Sequence, residues 1–339
     1  LVDRLRQDKI KVEVIPLPPA AREVRKDDVR PRTLQWRSVA TSMSYIWRLR
    51  RRLREIRPDL VHTNSLKSAL YGGVAGRLAG IPVIWHVRDR IAPDYLPAAA
   101  IRLVKMAARF LPSAVIANSN TTLETLPGLH RGFVVANTVV YDPIGEILAQ
   151  DRTERRIYRV AVLGRLAPWK GQNIFLDAFA CAFPDGGCEA WIIGSAMFGE
   201  DDYVDSLHAQ AERLGVSQNV VFRGFQEDTW SELAQIDILV HCSLTPEPFG
   251  QVVVEGMAAG VPVIASAAGG PTEIISNNVD GILTPPGDVA ALAAAMRRLH
   301  DDAWLCKALV AKGRETAFRY SPKRTASGLI DVYEGVLRR

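Results

Sequence analysis

Short apolar runs alternate with amphipathic segments along almost the whole chain, and this pattern constrains the fold most. Runs at 10–16, 59–62, 82–87, 113–117 and 133–136 read as strands. Between them, 40–57, 65–79, 98–110 and 120–126 carry helical spacing. Strands of four to seven residues separated by helices imply βαβ units, because parallel neighbours need a crossover of a dozen residues or more. The expected class is α/β with parallel sheets.

The alternation pauses at 141–145 and at the charged run 151–156, which reads as a connection between domains. It then resumes with strands expected at 157–163, 189–193, 219–222, 237–241, 261–265 and 281–283. Helices are expected at 170–182, 201–214, 229–235, 249–259, 271–277, 287–300 and 302–317. Ser321 and Pro322 open a last one, as an N-cap followed by proline at the first helical position. Two doubly wound domains in tandem follow, at 1–145 and 157–317, with a C-terminal helix in 318–339 packing back towards the first. A doubly wound domain places its glycine-rich ligand loop after its first strand. No such loop precedes residue 10, so the first domain is expected to lack its opening strand and that loop.

With 48% apolar and 23% charged residues among 339, the composition excludes wholesale disorder and low-complexity scaffolds. No apolar run approaches the roughly 20 residues of a spanning helix. Four cysteines without C-x-x-C spacing point to buried thiols in a reducing, cytoplasmic setting, not to a zinc site or a disulfide framework. Residues 1–150 carry 24 Lys and Arg against 13 Asp and Glu, while 151–339 carry 18 against 24. The excess is densest in W-R-L-R-R-R-L-R-E-I-R over 47–57, which suits an anionic partner or simply a solvated helix face. Without an aromatic platform or a helix-turn-helix pattern, a nucleic-acid partner has no support.

Three segments of the second half could carry chemistry. G-R-L-A-P-W-K-G (164–171) runs from a buried strand through a turn into a helix. Arg165, Lys170 and the helix N–H groups suit a diphosphate, although a surface loop with two cations has the same spacing. E-P-F-G-Q-V-V-V-E (247–255) places Glu247 before a helix and Glu255 two turns inside it, about 12 Å apart along the axis. That is too far for an acid/base pair on one bond, but it fits two ends of an extended ligand. Two unrelated helix acids would look the same. A-G-G-P-T-E (268–273) joins a strand to a helix start, and Gly269 and Gly270 let a ligand approach the backbone, or make a tight turn. No dinucleotide or P-loop glycine signature occurs.

In this order and spacing the three segments resemble the retaining glycosyltransferases of family 4. The similarity extends to D-L-V-H-T-N-S (59–65), P-V-I-W-H-V-R-D (82–89) and V-I-A-N-S-N (115–120) in the first half. The resemblance implies a GT-B fold, two Rossmann-like domains facing a central cleft. It implies that Arg165 and Lys170 neutralise the donor's diphosphate, with Gly164 at the turn. Glu247 would bind sugar hydroxyls and Glu255 the ribose, while Phe249 and Gly250 would offer backbone N–H groups. Arg223, Gly224 and Phe225 would lie where relatives hold the base. Neither metal nor cofactor is implied, since cations and helix dipoles act at the leaving group.

Relatives often carry a histidine near the sugar, for which His86 is the candidate, with Arg88 close to the expected place and His62 a weaker alternative. Asn118, Ser119 and Asn137 sit at comparable strand edges, where turn roles explain them equally. The expected donor is a UDP- or GDP-linked sugar. The expected acceptor is a glycan or lipid-linked glycan, reached by the basic helix docking on an anionic inner membrane face. A phosphorylase or epimerase of the same fold, or a non-catalytic nucleotide-sugar binder, fits the same residues.

Overall fold

A computed structural model describes residues 2–18, 36–140, 158–197 and 199–338. The expected interdomain connection at 141–156 lies outside them. The chain divides into two compact units, 1–116 with 125–133 and 332–339, and 117–124 with 134–331. The division places the end of the last helix, Pro322–Leu337, with the first unit and the segment after the third strand with the second.

The first unit holds a sheet in the order β1 (Val61–Thr63), β2 (Val83–Val87), β3 (Ala114–Ala117), β4 (Gly132–Val134). β1 and β2 run parallel, with Val61 opposite Val83 and Thr63 opposite Trp85. Every residue of β2 and β3 is buried, which is why both read as unbroken apolar runs instead of alternating ones. Helix Leu66–Ala79 starts at Ser65, whose hydroxyl caps the Ser68 N–H, and ends at Gly80. Its Gly76 lies so close to β2 that a Cβ there would meet Val83 at 2.4 Å, so the helix packs directly on the sheet. Helices Trp36–Ile56 and Ala98–Phe110 complete the unit beside the short Val2–Gln7. The expected strand at 10–16 does not form. Its residues alternate correctly, but they lie outside both sheets, and Ile10 and Val14 are exposed.

The second unit has six parallel strands in the order β10-β9-β8-β5-β6-β7. These are β5 (Arg159–Leu163), β6 (Glu189–Ile193), β7 (Val220–Gly224), β8 (Ile238–His241), β9 (Val263–Ser266) and β10 (Ile282–Thr284). The strands' alternate residues feed two cores. Val160, Val162, Ile238 and Val240 face one, Ala161 and Leu239 the other. Each fully buried large apolar side chain contributes about 1.5–3 kcal/mol. From β5 the chain winds outward through β6 and β7, then returns to β5's other side with β8. The winding reverses between β5 and β8, and open α/β sheets bind ligands outside the carboxyl ends at such a switch point.

Candidate donor site

The loops after β5 and β8 flank the switch point, and both expected cations and the first expected acid lie on them. After Leu163 the chain passes through Gly164 into a 3₁₀ turn, Pro168–Lys170, and Gly171 then opens helix Gln172–Ala182 in the left-handed region at φ 74°. A Cβ on Gly171 would sit 2.1 Å from the Cys242 carbonyl oxygen, so glycine lets the β5 loop press against the β8 loop. Cys242 Sγ donates to the carbonyls of Lys170 and Gly171 at 3.3 and 3.1 Å. Burial pushes that thiol up to about 12, so it acts as an apolar strut. Of the four cysteines expected to be buried or half-buried, Cys181 is exposed, and all four are free.

Lys170 Nζ donates to Glu247 Oε1 and lies 4.5 Å from the centre of the Trp169 ring. The Arg165 guanidinium sits 5.4 Å from the same ring, and its Nε is 3.5 Å from Glu200 Oε2. Both cations thus lie against the same indole. Glu247 is buried, which alone would raise its pKa. A hydrogen bond from His241, the Lys170 charge and its hydrogen bond outweigh that and hold it well below the usual carboxylate range. Ser243 Oγ donates to the same oxygen at 2.9 Å. Both cations therefore rest on carboxylates.

The third segment locks onto the second. Gly270 N donates to the Glu247 carbonyl at 2.8 Å, and Glu247 and Gly269 form a parallel bridge. A Cβ on Gly270 would meet the Phe249 carbonyl oxygen at 2.0 Å, so glycine is required by contact here. Phe249 buries its ring against Tyr320, leaving its backbone as the part a ligand could use. Gly250 opens helix Gln251–Ala258. Glu255 lies on that helix, its carboxyl raised by burial against a hydrogen bond from Gln251.

Two expected residues are paired within their own units. Arg223 is engaged by both oxygens of Glu232, at 3.0 and 2.8 Å, and stacks on Trp191, so its guanidinium braces β7. Gly224 does line an open pocket of about 380 Å³, with Leu166, Gly194, Ser195, Asp201 and Phe222, while Phe225 projects from the loop, 74% exposed. His86 belongs to the first unit, where it is buried on β2. Its Nδ1 lies 3.1 Å from His62 Nε2, and His62 Nδ1 lies 2.6 Å from the Tyr333 hydroxyl. Burial, then the Arg88 and His62 charges, push His86 down to about 3, so the ring is neutral at working pH. Arg88 itself donates to Asn64 at 2.7 Å.

Sequence reasoning missed His241, Ser243, Glu200 and the loop 194–196. The I-I-G-S-A run at 192–196, where the 189–193 strand ends, was the available signal for the last, a glycine at a strand's carboxyl end.

A parallel sheet wound in Rossmann order, with two cations and a buried acid at its switch point, is an arrangement suited to a phosphorylated ligand. Comparison with known proteins narrows it. The family profile described as Glycosyl transferases group 1 matches residues 148–316, and the one described as Glycosyltransferase Family 4 matches residues 1–140. The chain belongs to the family 4 glycosyltransferases, and its fold is GT-B, two α/β domains with parallel sheets.

A lipopolysaccharide core biosynthesis glycosyltransferase of Rhizobium meliloti, LpsD, is 28% identical over 307 residues, covering 86% of this chain and 80% of that protein. LpsE of the same organism is 34% identical over 176 residues, 51% of this chain and 49% of that one. The crystal structure of Anabaena HepE in complex with UDP and glucose matches with a TM-score of 0.81 at 28% identity, over 99% of this chain and 88% of that one.

Proposed function

We propose that this glycosyltransferase moves a sugar from a nucleotide diphosphate sugar to a hydroxyl of a glycan or lipid-linked acceptor, with retention of configuration and without a metal. The observation that carries this reading is the convergence of Arg165, Lys170 and Glu247 at the switch point. UDP and glucose bound to HepE support a sugar nucleotide, UDP- or GDP-linked, as the donor. The biosynthetic names of LpsD and LpsE support a cell-envelope glycan as the acceptor.

The donor diphosphate takes Lys170 and Arg165 from their carboxylates, and Glu247, freed from the ammonium, accepts from sugar hydroxyls. Glu255 holds the ribose, and the 194–196 and 224–225 loops frame the base. The bond from the anomeric carbon to the diphosphate breaks, and the acceptor oxygen bonds on the same face. Its proton passes to the departing phosphate oxygen. The chain supplies position and positive charge where negative charge develops. His86 is neutral, so no proton is drawn from it.

The test is incubation with a panel of nucleotide sugars and glycan acceptors, with the product's anomeric configuration read by NMR. An α-linked donor is expected to give an α-linked product; a β-linked one overturns retention. Donor binding without transfer to any acceptor would favour the non-catalytic reading.

The acceptor side motivates a second expected outcome. Helix Trp36–Ile56 carries Arg48, Arg50, Arg51, Arg52 and Arg54, with Trp47 51% exposed under the Arg50 guanidinium. No helix among the described residues is long and apolar enough to cross a membrane. Each cation near an anionic surface is worth about 1 kcal/mol, enough for a cluster to hold the protein there reversibly. Vesicle co-sedimentation is expected to rise with anionic lipid content and to fall when Arg51 and Arg54 become Glu. Binding indifferent to lipid charge would count against a peripheral, inner-face location.

A further inference from the structure

The segment Ala117–Glu124 of the second unit contributes none of the expected donor ligands, yet it is tied to the E-P-F-G loop. Ser119 and Thr122 are buried, at 2% and 0% exposure. Ser119 Oγ donates to the Pro248 carbonyl at 2.5 Å, and Thr122 Oγ1 donates to the same oxygen at 3.1 Å. The Thr122 N–H donates to Ser119 Oγ at 3.0 Å, fixing the first hydroxyl relative to the second. The segment is itself anchored by Glu273, the acid of A-G-G-P-T-E. One carboxylate oxygen accepts from the Asn120 N–H and side-chain amide, both at 2.9 Å. The other accepts from the Thr121 N–H at 2.7 Å and its hydroxyl at 2.8 Å.

These bonds have a geometric consequence for the loop they hold. A peptide unit is planar and trans, so the direction of a carbonyl sets the opposite direction of the next N–H. Two hydroxyls fixing the Pro248 carbonyl therefore also aim the Phe249 N–H. The other side of the loop is fixed by Gly270, which donates to the Glu247 carbonyl. The Pro248–Phe249 peptide is thus held by the 117–124 segment, and the Glu247–Pro248 peptide before it by Gly270. A single turn would need no such arrangement, since one bond to a backbone neighbour would satisfy the carbonyl.

We propose that Ser119 and Thr122 are positioning residues of the donor site, which orient the Pro248–Phe249 peptide so that the Phe249 N–H faces the donor. The proposal rests on the donor-site reading above. Preorganised donors gain their catalytic value from not having to reorient during reaction, so loosening the peptide weakens transition-state stabilisation more than ground-state binding.

The test compares Ser119→Ala, which adds no volume, and Thr122→Val, which keeps shape and removes the hydroxyl, with Ser119→Thr, which keeps a donor. Turnover is measured with the donor selected by the nucleotide-sugar panel. The Phe249 amide is followed in ¹⁵N-phenylalanine-labelled protein on addition of UDP. The first two variants are expected to lose tenfold or more in kcat with KM for the donor within about threefold. They should also show a smaller UDP-induced shift of the Phe249 amide, and Ser119→Thr should recover most of both. If Thr122→Val fails to fold, Ser119→Ala alone decides.

Full kcat and an unchanged Phe249 shift in Ser119→Ala, with Glu247→Gln inactive, would overturn the bracing role and leave the donor site standing. Full activity in Glu247→Gln would instead remove the donor reading on which the proposal rests. A loss of melting temperature without loss of kcat would make Ser119 and Thr122 structural only and overturn the proposal.

Discussion

Replacing Lys170 by alanine is expected to lower turnover about a hundredfold or more, the scale of losing one preorganised transition-state contact. The ammonium lies against the Trp169 ring and on Glu247 Oε1, half enclosed between the β5 and β8 loops. In the proposed mechanism it meets the diphosphate as negative charge grows on the leaving oxygen, so its removal is expected to fall on kcat more than on acceptor KM. The same change strips a largely buried carboxylate of its cation. Glu247 would keep Ser243 and His241 as neighbours, but its pKa would move back up as the ammonium's charge and hydrogen bond are lost. Breaking a buried pair by removing one partner costs up to about 3–5 kcal/mol. The charge-free Lys170→Met, which keeps the stem over Trp169, separates lost packing from lost charge. Steady-state kinetics at saturating acceptor check the result. Unchanged turnover in Lys170→Ala would refute the assignment.

Gly171→Val is expected to be strongly destabilising. Its φ of 74° lies where a β-branched residue is strained, and an added Cβ would meet the Cys242 carbonyl oxygen at 2.1 Å. Left-handed strain alone costs about 1–2 kcal/mol. The clash is with backbone, so relief requires the two loops to separate and the Cys242 bonds to Lys170 and Gly171 to break. A total of about 3 kcal/mol or more follows, near the upper end for single substitutions. For a unit of this size that lowers the melting temperature by about 6–12 °C. Calorimetry or thermal circular dichroism checks it. A melting temperature within a degree of the parent would mean that the two loops are not in contact.

The alternation of apolar runs carried the parallel sheets because a fully buried parallel strand has to be apolar on both faces, as β2 and β3 are. The same rule misjudged 10–16. Period-two alternation records which faces a strand would present, not whether a neighbour exists to pair with it. Arg165, Lys170 and Glu247 were legible singly as cations and an acid at strand ends. Their convergence follows from the winding order, which places β8 beside β5.

What stayed hidden depends on distant pairs that spacing does not encode. Arg223 turns onto Glu232, a pairing that the R-G-F segment does not encode. Ser119 looked like a turn residue because its partner, the Pro248 carbonyl, lies 129 positions away. His86 reads equally well as a ligand and as a core residue, and its pairing with His62 appears only once β1 and β2 lie side by side.

Whether a pyrophosphate occupies the β5–β8 switch point is answered most directly by calorimetric titration with UDP and with uridine, of the parent and of the double variant Arg165→Ala, Lys170→Ala. Each charge-assisted contact is worth about 1.5–3 kcal/mol. UDP affinity should therefore drop about a hundredfold or more in the variant, while uridine affinity stays as it was. Equal UDP affinity in the two proteins would contradict the site.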